Sequence, residues 1–115
     1  MRTIIAGSRT ITDYKIIKNG MFEILINPSV IISGTANGVD KLGEMWAKDN
    51  NIEVIRFPAN WNLYGISAGH LRNIQMVEEG KAEAAIIFWD GISKGTQDMI
   101  RIAKNHKLFL KVFKI

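Results

Sequence analysis

Five short apolar runs, each with β-branched or aromatic residues, recur along the chain at intervals of about 25 residues, separated by segments of helical periodicity. They are Thr3-Ile4-Ile5-Ala6, Val30-Ile31-Ile32, Ile52-Glu53-Val54-Ile55, Ala84-Ala85-Ile86-Ile87-Phe88-Trp89 and Phe109-Leu110-Lys111-Val112-Phe113. Runs of this length read as strands. The first four have no polar alternate face, the pattern of strands covered by helices on both sides. Only the last, with Lys111 and Lys114, carries the charges of a sheet edge. Between the runs, Ile17, Met21, Ile24 and Leu25 follow an N-cap candidate at Asp13, and Val39, Leu42, Trp46 and Ala47 form a second apolar stripe. Leu71, Ile74 and Val77 form a third that stops at Gly80, and Met99, Ile100 and Ala103 a fourth. Strict alternation of strand and helix gives parallel strands joined by right-handed crossovers. The expected fold is therefore α/β: a single domain over residues 1–115, Rossmann-like, three-layered, with a five-stranded, mainly parallel sheet. No linker, repeat or low-complexity segment interrupts it.

Composition restricts the chemistry. The chain has no cysteine, which excludes disulfide frameworks, thiolate zinc sites and cysteine nucleophiles and fits a cytoplasmic protein. Its two histidines, His70 and His106, stand in no metal-ligand spacing, so no metal is expected. No apolar run approaches the roughly 18 to 20 residues that cross a bilayer, and the first residues are too soon interrupted for a signal peptide. A membrane partner is not expected. The net charge is +4, concentrated in residues 94–115, where Lys94, Arg101, Lys104, Lys107, Lys111 and Lys114 face Asp98 alone. Such a face can attract nucleic acid, but no aromatic stacking run accompanies the lysines. A solvated helix end and edge strand is the plainer reading.

Parallel topology collects the C-terminal ends of the strands on one edge, where ligands of open α/β sheets bind. The loops there are Gly7-Ser8-Arg9-Thr10, Ser33-Gly34-Thr35-Ala36-Asn37-Gly38-Val39-Asp40, Pro58-Ala59-Asn60-Trp61-Asn62-Leu63-Tyr64-Gly65 and Asp90-Gly91-Ile92-Ser93-Lys94-Gly95-Thr96. Glycines and small hydroxyl residues let backbone amides approach a phosphate, and two of these loops run into helix N-termini, which attract anions. Arg9 and Arg72 supply fixed charge. Arg72, with His70 and Asn73, falls in or near the first turn of a helix, where a cation opposes the helix dipole unless an anion or a carboxylate such as Asp40 or Asp90 sits beside it. Asp40 is either first-turn capping chemistry or an acceptor for ribose hydroxyls. Trp61 and Tyr64, among polar neighbours, suit a pocket wall or lid, whereas Trp89 and Trp46 suit packing, with a dimer face as the alternative for Trp46. Neither G-x-G-x-x-G, a Walker loop nor G-x-S-x-G is present, so dinucleotide dehydrogenases, P-loop enzymes and elbow-type hydrolases are set aside.

The blocks "IAGSR", "SGTANGVDKLGEMWA", "FPANWNLYGISAGHLRNIQM" and "FWDGISKGTQDMI" resemble the YspA-like family of the SLOG superfamily, which also holds the LOG phosphoribohydrolases and the DNA-processing protein DprA. The resemblance implies a pocket for a nucleotide or nucleotide-derived molecule, with no further cofactor. Gly7, Ser8 and Arg9 would lie in its first motif, Gly34, Gly38 and Asp40 in the second, Arg72 and Asn73 in the third, and Gly91, Gly95 and Thr96 in the phosphate loop. Thr35, Trp61, Tyr64, Asp90 and Lys94 complete the ligand-binding set read from the loops. The resemblance further implies a sensor or sequestering role in phage and bacterial conflict, and a homo-oligomer, dimeric or higher. It departs at one position: Met99 stands where the LOG-type hydrolases carry a glutamate, and a thioether moves no proton. An N-glycoside hydrolase is thus the alternative, with Asp40, Glu44 or Asp98 as its carboxylate, and a nucleic-acid module using the basic C-terminal face is the third reading.

Overall fold

A computed structural model describes all residues from Met1 to Ile115. The elements run β1 (Arg2–Gly7), α1 (Tyr14–Glu23), β2 (Val30–Ser33), α2 (Val39–Asp49), β3 (Glu53–Arg56), α3 (Trp61–Tyr64), a 3-10 turn (Gly65–Ser67), α4 (Ala68–Glu78), β4 (Ala84–Trp89), α5 (Lys94–Asn105) and β5 (Phe109–Lys114). The sheet order is β3-β2-β1-β4-β5. Every pairing is parallel, among them Ile4 beside both Ile32 and Ala85. The fold is thus Rossmann-like with a wholly parallel sheet. No helix is long and apolar enough to cross a membrane.

Adjacent residues of the central strands point to opposite faces, and this splits the core in two. Ile5, Ile31, Ile86 and Phe88 pack with Ile17, Met21, Val39 and Ala47 of α1 and α2. Ile4, Ile32, Ala85 and Ile87 pack with Met76 and Val77 of α4 and Met99, Ile102 and Ala103 of α5. Ile4, Ile5, Ile31, Ile32, Ile86, Ile87 and Phe88 are fully buried. That accounts for strands with no polar face.

Three expectations need correction. α1 ends at Glu23, so Ile24 and Leu25 lie outside it and Leu25 is fully exposed. The chain must extend there to reach β2, as Pro28 demands of Asn27, and the Met1 amine holds it through the Asn27 carbonyl at 2.9 Å. The last strand is not the sole edge: β3 is the other, with Glu53 and Arg56 exposed around half-buried Val54 and Ile55. The loop after β3 is partly helical. Asn60 starts α3 by accepting the Leu63 amide on its side chain at 3.1 Å.

Candidate functional site

The chain leaves β1 toward β2 on one side and leaves β4 toward β5 on the other, so the loops after β1 and β4 diverge and open a crevice at the carboxyl edge of the sheet. A cleft of about 540 Å³ fills it, walled by α4 and by the start of α5. The size suits a small molecule. Gly7, Arg9, Asp40, Trp61, Arg72, Asn73, Asp90, Lys94, Gly95 and Thr96 all line it, as do Asp98 and buried Met99.

One hydroxyl ties the two diverging loops together. Ser8 is fully buried; its Oγ accepts the Asp90 amide at 3.0 Å and stands 3.4 Å from the Thr96 hydroxyl. Asp90 then turns the loop after β4 by accepting the amides of Ile92 (2.9 Å) and Ser93 (2.8 Å), and it takes the Thr10 hydroxyl at 2.8 Å. The Ser93 and Ile92 amides and the Thr10 hydroxyl hold its carboxyl down at about 2. Ser93 caps α5 through the Thr96 amide at 3.4 Å, and open space lies in front of Gly95. These features set the N-terminus of a twelve-residue helix at the cleft. Ser8 therefore supports the site from behind rather than lining it.

Arg72 is the fifth residue of α4, just past the first turn, so the helix dipole opposes it less than the sequence suggests. Its guanidinium turns back across the sheet edge, donating to the Gly34 carbonyl at 2.5 Å and from Nε to Asn73 Oδ1 at 3.1 Å. Asp40 also lies against Gly34, only 4% exposed, and accepts the Ala36 amide at 3.2 Å. A Cβ on Gly34 would stand 2.8 Å from Asp40 Oδ2 and 2.9 Å from Arg72, so only glycine leaves room for both. The two charges influence each other but form no ion pair within 4.0 Å. Burial makes the Arg72 guanidinium less basic than usual; Asp40 opposes that shift and Arg9 adds to it.

Burial likewise pushes the Asp40 carboxyl up to about 6, against the pull of Arg72 and the amides of Ala36 and Gly7 and with a small push from Glu44. An acid whose folded pKa exceeds its unfolded value of 3.8 favours folding while protonated, so this contribution is complete below 3.8 and is lost as pH rises through about 6. A shift of two units amounts to about 3 kcal/mol. Asp40→Asn keeps an acceptor for the Ala36 amide and is expected to exceed the native chain in stability by that order at neutral pH, with the gap closing in acid. Urea denaturation at both pH values measures it. A gap of equal size at both would contradict the burial account.

The remaining residues fall around this centre. Gly38 packs the start of α2 against the Ser8–Arg9 backbone, Thr35 adopts φ 65° with its amide on Ser33 Oγ at 3.1 Å, and Gly91 turns beside Lys114. Tyr64 faces a neighbouring cavity with Leu63 and Leu71. Trp89 anchors the loop after β4 through its indole N–H on the Ser93 carbonyl at 3.0 Å, and Trp46 packs against the core under α1 and α2. Glu44 is held by Arg56 at 2.9 Å and by the Ser33 hydroxyl at 2.6 Å. The guanidinium of Arg9 and the ammonium of Lys94 make no hydrogen bond or ion pair within the chain, and no group of three His, Asp or Glu side chains is placed to hold a metal.

Sequence reasoning gave His70 no partner. Its Nδ1 lies 3.0 Å from both carboxylate oxygens of Asp98, which also accepts Asn73 Nδ2 at 3.1 Å and pairs with Arg101. Burial alone would raise the Asp98 carboxyl, but hydrogen bonds from His70, Asn73 and Arg101 outweigh it and hold it below the ordinary range. The only hint was position, since His70 neighbours Arg72 and Asn73; the pairing itself comes from the packing of α4 on α5.

Residues 1–64 match the family model described as the YspA, cpYpsA-related SLOG family. The chain is also 32% identical over 111 residues to the Gene 61 protein of Mycobacterium phage D29, an alignment covering 90% of this chain and 88% of that protein. No solved structure matches it.

Proposed function

The chain belongs to the YspA and cpYpsA-related SLOG family, and from that premise we propose that it binds a nucleotide or nucleotide-derived small molecule in the cleft between the β1 and β4 loops, as a sensor or sequestering module. The observation that carries this is the grouping of Arg9, Arg72 and Lys94 with the N-terminus of α5 around one small-molecule-sized cleft. Arg9 and Lys94 have no partner of their own, and a phosphate supplies one. Asp40 takes ribose hydroxyls once ionised, and the half-exposed Trp61 offers a face to a base. The similarity to a phage protein supports a role in phage biology.

A hydrolytic reading is favoured by one observation. Met99 is buried at 2% exposure, Glu44 is held by Arg56 and Ser33, and Asp98 is held by three donors. Of the three candidate carboxylates, Asp40 alone lines the cleft without an ion pair, with a carboxyl near 6, where an acid–base group works well. If the protein cleaves an N-glycosidic bond, Asp40 is the carboxylate.

One experiment separates the two. Purified protein is incubated with nucleoside monophosphates, NAD, ADP-ribose and cyclic dinucleotides, and both the filtrate and the heat-released fraction are analysed by mass spectrometry. A compound that leaves the filtrate and returns intact establishes binding. Free base and a ribose phosphate, lost in Asp40→Asn, establish hydrolysis, and a filtrate unchanged across the panel overturns both.

A further inference from the structure

We propose that His70 is itself an anion ligand of the cleft: oriented by Asp98 at Nδ1, it presents a protonated Nε2 to a phosphate held between α4 and α5, so that the ligand binds together with a proton. The inference rests on the phosphate reading above and assigns it a residue and a pH dependence.

The geometry fixes which nitrogen faces the ligand. An ionised carboxylate only accepts, so Nδ1, at 3.0 Å from both oxygens of Asp98, must carry a hydrogen. Nε2 makes no hydrogen bond within the chain, and His70 lines the cleft. Asp98 is fixed in turn by Asn73 and Arg101, so the imidazole has a rigid support. This is the arrangement in which one ring nitrogen is held so that the other can act.

The charges around the ring favour an anion. Arg101 already pairs with Asp98, so that carboxylate does not balance a second full charge. His70 is the third residue of α4, inside the first turn, where the helix dipole disfavours a cation. Arg72 comes from the same helix, Lys94 from the start of α5, Arg9 from the loop after β1, and the carboxylates of Asp40 and Asp90 from α2 and the loop after β4. A bound phosphate offsets the three cations and the dipole at once, and protonation of His70 strengthens that attraction. A plain staple between α4 and α5 uses the same Asp98 contact but ties no proton to the ligand.

Sulfate is the probe, because its charge is constant across the range in which imidazole titrates. Native protein is expected to bind it at about pH 5.5 and to lose affinity, by up to about tenfold per pH unit, as pH rises. Ionisation of Asp40 weakens binding in the same direction, so His70→Gln and Asp40→Asn are combined. Asp40→Asn should keep a fall in affinity with rising pH, and adding His70→Gln in that background should abolish it. In native protein the His70 C2 proton, followed by NMR with His106 as reference, should titrate at higher pH when sulfate is present. This requires no variant to fold. A doubly substituted protein with the slope of Asp40→Asn, or a His70 titration unmoved by sulfate, overturns the proposal. Failure of native protein to bind sulfate at about pH 5.5 overturns the phosphate reading and this inference together.

Discussion

Arg72→Ala is expected to bind the cleft's ligand at least about 100-fold more weakly than native protein while its melting temperature falls by no more than about 5 °C. The first figure follows from two charge-assisted hydrogen bonds to a phosphate, each contributing about 1.5–3 kcal/mol. The second follows from what Arg72 holds inside the chain, chiefly the Gly34 carbonyl, a bond contributing about 1 kcal/mol net. Loss of the guanidinium also removes a favourable charge near Asp40 and keeps that carboxyl protonated to higher pH. Lysine restores charge but not the fork, so Arg72→Lys should recover only part of the affinity. Titration calorimetry and thermal melts on the three proteins decide the matter. A folded alanine variant that binds within about threefold of native removes Arg72 from the ligand site.

Gly38→Ala is expected to lose much of the domain's stability. Gly38 adopts φ 80° and ψ −129°, a conformation all but closed to residues with a Cβ. An added Cβ would also lie 2.5 Å from the Ser8 carbonyl oxygen and 2.6 Å from Arg9 Cα, both backbone atoms that no rotamer change can move away. Together these should cost about 3 kcal/mol or more and lower the melting temperature by over about 10 °C. Gly95→Ala is the matched contrast, because a Cβ there meets nothing within 4 Å. It should melt like native protein yet bind more weakly, since the space it fills is the space in front of α5. Equal melting of the two variants would refute the argument from backbone geometry.

The layers were legible because local pattern and tertiary role agree: runs such as Ile4-Ile5, Ile31-Ile32 and Ile86-Ile87 send one residue to each face, which only a sheet covered on both sides can use. β3 misled because an edge strand of four residues needs few charges to mark it, and Glu53 and Arg56 stand at its ends. Apolar spacing continues through Ile24 and Leu25 and so predicts a longer α1, whereas the end of the helix is set by the path to β2. At the site, the loops and cations could be read from the chain, since glycine, arginine and position after a strand are local properties. The division of labour could not. Whether Ser8 faces ligand or braces two loops, and whether Asp98 is a free carboxylate or the support of His70, depends on residues 82 and 28 positions away.

The wall formed by residues 61–67 differs from the rest of the cleft in having no buried side chain at all, with Ile66 98% exposed and Leu63 66% exposed. Its attachment to the domain is correspondingly weak, whereas the strands beneath the cleft belong to the core and open only when the whole domain does. In hydrogen exchange, amides of 61–67 should therefore lose protection at a free energy far below that of global unfolding. On the proposed function, ligand entry and release are then a local event, with a rate set by this short segment and independent of the stability of the sheet that shapes the floor.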